Sequence, residues 1–395
     1  MPYRKFKADL LFTGNHVLGQ NSVLITNEDG VVQEIVQLTD AGDDVEVFEG
    51  LLSPGFVNCH CHLELSHLKN VIEPGTGLVD FLIKVVSLRS STDDEIQTAM
   101  LTADAEMFNS GIVAVGDVCN TNNSINVKLK SRIGYYNFIE VLGFTEDNAR
   151  QRIAPYVSVY KEFCDAGFAS NSSIVPHAPY TVSPSMFQLI GDVSAGKIIS
   201  IHNQESLAED ELYRNKTGDF LRLYDQLHIN TDFFQPCDNS SLQTYLPFLK
   251  KARKLILVHN TCTTQEDLDF ALKQAVKDGH PNYWCLCPNA NMYIENKLPP
   301  VELLIQNRRN IILGTDSYAS NTGLNILHEI KTLHKNFPFV QMNDLLQWGT
   351  LNGAKALGMD DKLGSFEKRK QPGVLLISNL VNNNISTAST VSRLL

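Results

Sequence analysis

The sequence predicts an α/β protein: a closed parallel (β/α)8 barrel with a small discontinuous β-sandwich made from the N-terminal strands and the C-terminal tail. Three observations predict it. Between about residues 53 and 365, eight apolar, β-branched runs that end in polar residues alternate with helical patterns. Ahead of them, short β-rich runs alternate with turns, and behind them residues 366–395 return to a strand pattern. At 395 residues, with 43% hydrophobic and 19% charged content, the chain has the length and composition of a folded globular protein.

Residues 1–52 carry "KADLLFTG", "SVLITNEDG", "VVQEIVQL" and "DVEVFEG", read as a small antiparallel sheet and the first part of the small domain. Residues 53–365 carry the barrel. Its strands are "GFVNCHCH" (55–62), "GIVAVGDV" (111–118), "IGYYNFIEV" (133–141), "SSIVPHAPY" (172–180), "KIISIHNQE" (197–205), "LILVHNT" (255–261), "NYWCLCPN" (282–289) and "NIILGTDS" (310–317). Their near-continuous apolar character is what strands covered on both faces require. The tail, 366–395, contains "FEKRKQPGVLLIS" and is expected to rejoin the N-terminal sheet. Residues 206–254 are longer than a normal crossover; they read either as helical runs covering the barrel mouth or as an ordinary long connection.

The formal net charge of −11, without a Lys/Arg-rich block, excludes a phosphate-tracking surface and favours a small-molecule substrate over nucleic acid. No secretory signal and no run of about 18 apolar residues appears, so no membrane partner and a cytoplasmic location are expected. A homodimer is compatible with this composition. The eight cysteines are scattered and read as thiols. A structural zinc site from Cys59, Cys61, Cys285 and Cys287 is disfavoured, because it needs ligands on the strand face opposite His60 and His62.

The chemistry gathers at strand ends. In "LLSPGFVNCHCHLELSHL" (51–68) strand alternation puts His60, His62 and, if the strand persists, Glu64 on one face. His177 ends strand four, His202 and Glu205 strand five, His259 strand six and Asp316 strand eight. Any one of these is readily a satisfied buried histidine or a helix-capping aspartate. Their joint placement at the catalytic end of a barrel is not. Three neutral imidazoles and a carboxylate suit one divalent cation, Zn²⁺ first and Fe²⁺ second, with His60, His62, His202 and Asp316 as ligands. Such an ion lowers the pKa of bound water toward about 7. No G-x-S-x-G elbow is present, so solvent is the expected nucleophile.

With these motifs placed, the chain resembles the amidohydrolase superfamily, in its branch of metal-dependent aminohydrolases. The resemblance rests on "PGFVNCHCH", "HAPYTVS" (177–183), "HNQE" (202–205), "LVHNT" (257–261), "CPNAN" (287–291) and "LGTDS" (313–317), in order along nearly the whole chain. It implies the same four metal ligands, Glu205 as proton shuttle, His259 beside the attacking water or developing oxyanion, and Asp316 as both ligand and proton relay. Binuclear relatives carry a carboxylated Lys near the end of strand four. This chain has His177 and no Lys there, which implies one metal. The reaction implied is hydrolytic deamination of an amino-substituted heterocycle, with release of ammonia.

"HCHLELS" and "GLVDFLIKVVSLR" further look like the aminodeoxyfutalosine deaminases, which convert a 6-aminopurine nucleoside to its 6-oxo form in a menaquinone pathway. That likeness makes Glu64, Arg89 and His177 the expected substrate contacts. The tail departs from the "GKxAD" turn common in relatives. Competing expectations keep the ligands and change the pocket: guanine or pterin deaminase, cyclic amide hydrolase or triazine hydrolase. A catalytically silent binding protein on the same fold is a further alternative. A nucleic-acid deaminase is opposed by the acidity and by the missing H-x-E with P-C-x-x-C pattern.

Overall fold

The structure, a computed structural model, describes residues 3–395. Seven short strands lead: Tyr3–Lys7 (β1), Leu10–Phe12 (β2), Val17–Gly19 (β3), Ser22–Asn27 (β4), Val32–Gln37 (β5), Glu46–Val47 (β6) and Leu51–Ser53 (β7). Eight longer-range strands follow: Phe56–Cys61 (β8), Ile112–Cys119 (β9), Gly134–Val141 (β10), Ser172–Pro176 (β11), Ile198–Asn203 (β12), Lys254–His259 (β13), Asn282–Leu286 (β14) and Asn310–Leu313 (β15). Leu375–Ser378 (β16) and Thr390–Arg393 (β17) come last.

The short strands form two sheets, ordered β5-β4-β1-β6 and β17-β16-β7-β2-β3. The second takes strands from both ends of the sequence, β16 pairing antiparallel with β7 from Leu375 opposite Ser53 to Ile377 opposite Leu51. Phe6 and Leu24 from one sheet meet Leu11 and Leu52 from the other in a common core with Phe366 and Val374. The two sheets thus bury one apolar face each, the arrangement of a sandwich.

The barrel is two parallel four-stranded sheets, β8-β9-β10-β11 and β12-β13-β14-β15, sewn together along two seams. At one, the His202 N–H donates to the His177 carbonyl at 3.0 Å, and the Ser173 hydroxyl donates to Ile198 O at 2.6 Å. At the other, the N–H groups of Thr315 and Asp316 both donate to His60 O at 3.0 Å. Gly314 is required at this second seam, because a Cβ there would lie 2.8 Å from the His60 Cβ and 3.0 Å from two cysteine sulfurs.

Helices cover the outer faces. Asp93–Asn109 starts at a capping box in which Thr92 and Glu95 satisfy each other's backbone N–H, with three acids in its first turn to suit the helix dipole. It stops at Gly111, whose φ of 90° and close approach to the Leu375 side chain both demand glycine. On β8, Val57 and Cys59 face the helix Leu351–Leu357, where Gly353 leaves room for both. All eight cysteines are free, and the four of the C-x-C pairs are buried thiols.

Several strands end earlier than their sequence pattern suggests. β8 stops at Cys61, β11 at Pro176 and β15 at Leu313, so His62, His177 and Asp316 sit on the loops just beyond. Residues 206–254 form the helices Leu207–Asn215, Phe220–Gln226 and Ser241–Tyr245 and the turn Leu246–Leu249. The first two lie over the loop after β11: Tyr213 and Tyr224 donate to the carbonyls of Pro179 and Tyr180, and Phe220 stacks on Tyr180 with ring centroids 4.1 Å apart. Arg222 then reaches Asp80 on the helix Leu78–Leu88 at 2.6 Å, clasping the two covers of the mouth. Among the described residues, no helix is long and apolar enough to cross a membrane.

Candidate active site

The seams bring His60, His62, His202 and Asp316 together, with one ligand atom from each inside 4.8 Å of all the others. His62 Nε2 lies 3.2 Å from both His60 Nε2 and His202 Nε2. Asp316 Oδ1 stands 3.5 Å and 3.4 Å from the His60 and His62 Nε2 atoms. Ligands about 2.05 Å from a tetrahedral zinc are about 3.3 Å from one another, so these four edges match such a centre.

The donor set fits a cation for a second reason. His202 Nδ1 donates to the His177 carbonyl at 2.8 Å, which fixes its proton there and leaves Nε2 as a bare lone pair. That lone pair points at His62 Nε2, itself shared with His60, and one proton cannot satisfy three converging nitrogens. Burial, then the neighbouring imidazole His60, pushes His62 down to about 3, and burial holds His202 well below its ordinary value. Burial works to raise the Asp316 carboxyl, but its hydrogen bond with His60 and the charges of His62 and His60 hold it well below the usual range. Ser320 donates to its other oxygen at 2.5 Å. The lowered His62 and His202 and the lowered Asp316 carboxyl all move toward the deprotonated forms a metal requires.

Beside this cluster, Glu205 Oε1 lies 3.5 Å from His259 Nε2. Burial, then the carboxylates of Asp316, Glu209 and Glu295, raise the Glu205 carboxyl well above its ordinary range, so it keeps its proton. His259 donates from Nδ1 to Asn291 Oδ1 at 3.3 Å, while its Nε2 is buried without a hydrogen-bond partner among the described residues. The backbone is strained around these groups: Gln204, His259 and Asp316 have φ of 46°, 72° and 58° without being glycine.

The strain is held by a buried network. Asp267 accepts from Gln204 Nε2 at 2.9 Å, from the Thr264 N–H at 3.0 Å and from the Thr264 and Ser240 hydroxyls at 2.7 and 2.5 Å. Glu209 accepts from the Gln204 N–H at 3.1 Å, and Tyr245 donates to Asn203 Oδ1 at 2.7 Å. Ser240 and Tyr245 both come from the 206–254 segment, which therefore braces the site as well as roofing it.

Of the expected substrate contacts, His177 and Arg89 line the cavity that holds His62, His202, Glu205, His259 and Asp316. Glu64 does not. The Leu63 N–H donates to Asp117 Oδ1 at 2.8 Å, and the chain turns into the short helix Leu63–Leu68, so strand alternation stops at His62. Glu64 instead accepts from the N–H groups of Asn120 and Thr121 at 3.0 and 3.2 Å and from the Thr121 hydroxyl at 2.9 Å. Its carboxylate is committed to that loop. The apolar wall of the cavity, Leu78, Phe81, Leu82 and Val85 with Leu223 and Leu227, was not singled out in the sequence, although its i, i+3, i+4, i+7 spacing on one helix is visible there. Glu140, also in the wall, carries no motif.

A barrel whose seams hold a three-histidine, one-aspartate cluster beside a proton-retaining glutamate defines a metal-site hydrolase of the barrel type. Residues 51–390 match the Amidohydrolase family, and the chain belongs to it. It is a hydrolase acting on carbon–nitrogen bonds in cyclic amidines. An adenosine deaminase of Helicobacter pylori is 26% identical over 381 residues, covering 90% of each chain. Among solved structures, H. pylori aminofutalosine deaminase in complex with methylthio-coformycin superposes with a TM-score of 0.82 at 23% identity, covering 96% of this chain and 93% of that one. An adenosine deaminase from Xanthomonas campestris with bound zinc gives 0.70 at 21% identity, covering 94% and 84%.

Proposed function

We propose that this chain hydrolytically deaminates a 6-aminopurine nucleoside, with aminodeoxyfutalosine of the menaquinone pathway as the leading substrate, and that it uses one divalent metal, zinc first. The observation that carries the reading is the buried Glu205 carboxyl, 3.5 Å from His259, beside a four-ligand cluster in one cavity. Relatives named for adenosine and aminofutalosine support the substrate class.

His60, His62, His202 and Asp316 would hold the ion, which supplies Lewis-acid activation of water at neutral pH. Glu205 gives its proton to the ring nitrogen next to the amino-bearing carbon, making that carbon electrophilic, and is reprotonated by the first proton lost from the attacking water. His259, with Nδ1 tied to Asn291 and the Nε2 lone pair free, is placed to accept a hydrogen bond from the attacking water. Asp316 accepts the remaining hydroxyl proton and passes it to the amino nitrogen, which departs as ammonia. The balance is one water consumed and one ammonia released. Leu78, Phe81 and Leu223 exclude solvent from the base, and Arg89 and His177 are the polar contacts for the rest of the molecule.

Ammonia release from the zinc-loaded protein tests this across aminodeoxyfutalosine, adenosine, 5′-deoxyadenosine, adenine, guanine, a pterin and a triazine. Fast turnover of the nucleosides, with aminodeoxyfutalosine well ahead of adenine, is expected. Silence on every nucleoside beside rapid turnover of guanine, a pterin or a triazine would reject it.

A further inference from the structure

Glu140 is a buried acid for which this reaction has no use. It is 3% exposed, one residue from the end of β10, and lines the same cavity as Glu205 and His259. Its Oε2 accepts from the Asn120 side-chain amide at 3.1 Å. Its Oε1 takes no hydrogen bond among the described residues and stands 3.6 Å from His202 Nδ1. Because Glu140 lines the cavity, this oxygen is an acceptor available to a donor from outside the protein.

A second cation is the first candidate, because Glu140, His177 and His202 offer ligand atoms within 4.8 Å of one another. The hydrogen bond already made by His202 rules it out. Its Nδ1 donates to the His177 carbonyl and so has no lone pair on that side, while Nε2 belongs to the other cluster. What remains is a carboxyl oxygen and a neighbouring imidazole, His177, whose Nδ1 bonds Thr181 at 2.8 Å.

Donor chemistry says which part of the substrate meets them. Glu140 and His177 come from β10 and the loop after β11, the arc between β9 and β12. In an adenine nucleoside whose amino-bearing carbon faces Glu205 and His259, the other ring nitrogens are acceptors and offer nothing to a carboxyl oxygen. The donors that remain are on the sugar, where a ribose carries two vicinal hydroxyls.

We infer that Glu140, with His177, binds the ribose hydroxyls and selects nucleosides over free bases. The inference rests on the nucleoside reading above. In Glu140→Ala the preference for adenosine over 2′,3′-dideoxyadenosine, as a ratio of kcat/KM, should collapse by about 10-fold, the range for losing two hydrogen bonds to an uncharged carboxyl. Metal content by elemental analysis should stay at the wild-type value, and inosine binding by calorimetry should weaken by a similar factor while hypoxanthine binding does not. Glu140→Gln, which keeps one acceptor oxygen, should recover part of the preference. An unchanged ratio, or loss of metal from the variant, would overturn the inference and leave Glu140 as a support for His202. A wild-type enzyme inert on all adenine nucleosides but active on a free base brings down the nucleoside reading itself, a result distinguishable from the others before any variant is made.

Discussion

Glu205 and Asp316 are both fully buried carboxyls of one cavity, and their surroundings push them in opposite directions. Burial raises both carboxyls, but the facing imidazoles hold Asp316 well below the usual range, whereas the acids around Glu205 add to burial and raise it well above. Glu205→Gln retains the shape and loses the transferable proton. It should bind metal at the wild-type stoichiometry while turnover falls by at least about 100-fold, the usual contribution of a positioned acid/base. Steady-state ammonia release with elemental analysis of the same sample checks it; near-normal turnover would place the proton on another group. These two residues were legible in the sequence because each follows within three residues of an apolar strand and stands in a recognisable motif. Glu64 misled for a physical reason. Alternation predicts a direction only while the strand lasts, and the bond from Leu63 N–H to Asp117 ends it one residue after His62.

At the scale of elements, the order and type of the barrel strands could be read from their apolar runs, as could the return of the tail in β16. The bracing of the site could not. Asp267 sits in a helix start that looks like ordinary capping chemistry, yet its carboxylate also holds Gln204, next to Glu205, and Ser240 from a distant segment. Such pairings join residues 27 to 63 positions apart and leave no local pattern. Asp267→Ala strands several buried donors at once, so it should lower unfolding stability by about 2–4 kcal/mol and slow turnover without changing metal content. Urea denaturation alongside activity measures this; a variant as stable as the wild type would show that the network is dispensable.

For the molecule as a whole, the metal cluster spans both seams, taking ligands from β8, from β12 and from the loop after β15. A bound ion therefore ties the two half-barrels to each other. Chelation should lower the melting temperature, by the equivalent of about 4 kcal/mol if the free ion normally stands at 1,000 times its dissociation constant, and amide exchange should rise first at His60, His202 and Asp316. Equal melting curves with and without chelator would deny the tie. The metal-free protein should also respond to pH. Burial raises Glu64 to about 7 and Glu140, Glu209 and Glu329 to about 8, so the folded state holds protons there that the unfolded chain has released. Stability must then fall as pH rises through that range. His62, His177 and His259, lowered to about 3 or 4, act oppositely and only below their ordinary value near 6.5, where the unfolded chain gains protons first. Denaturant midpoints of the apo protein should thus decline from pH 6.5 to 8.5, and a rise over that window would contradict the burial of these acids. The domain boundaries near residues 52 and 365 stand as a proposal that limited proteolysis can check.

The strand β8 reads Cys59, His60, Cys61 before His62, with imidazoles turned to the barrel axis and Cys59 turned to the helix Leu351–Leu357. A slip of one residue during folding would exchange the two faces and put soft sulfur donors where nitrogen now stands. The misfolded chain would then be a thiol trap for zinc or copper instead of an enzyme, and free metal would stabilise the error. The paired hydrogen bonds of Thr315 and Asp316 to the His60 carbonyl hold β8 in the observed register against such a slip, and one of them is made by a residue of the same four-membered cluster.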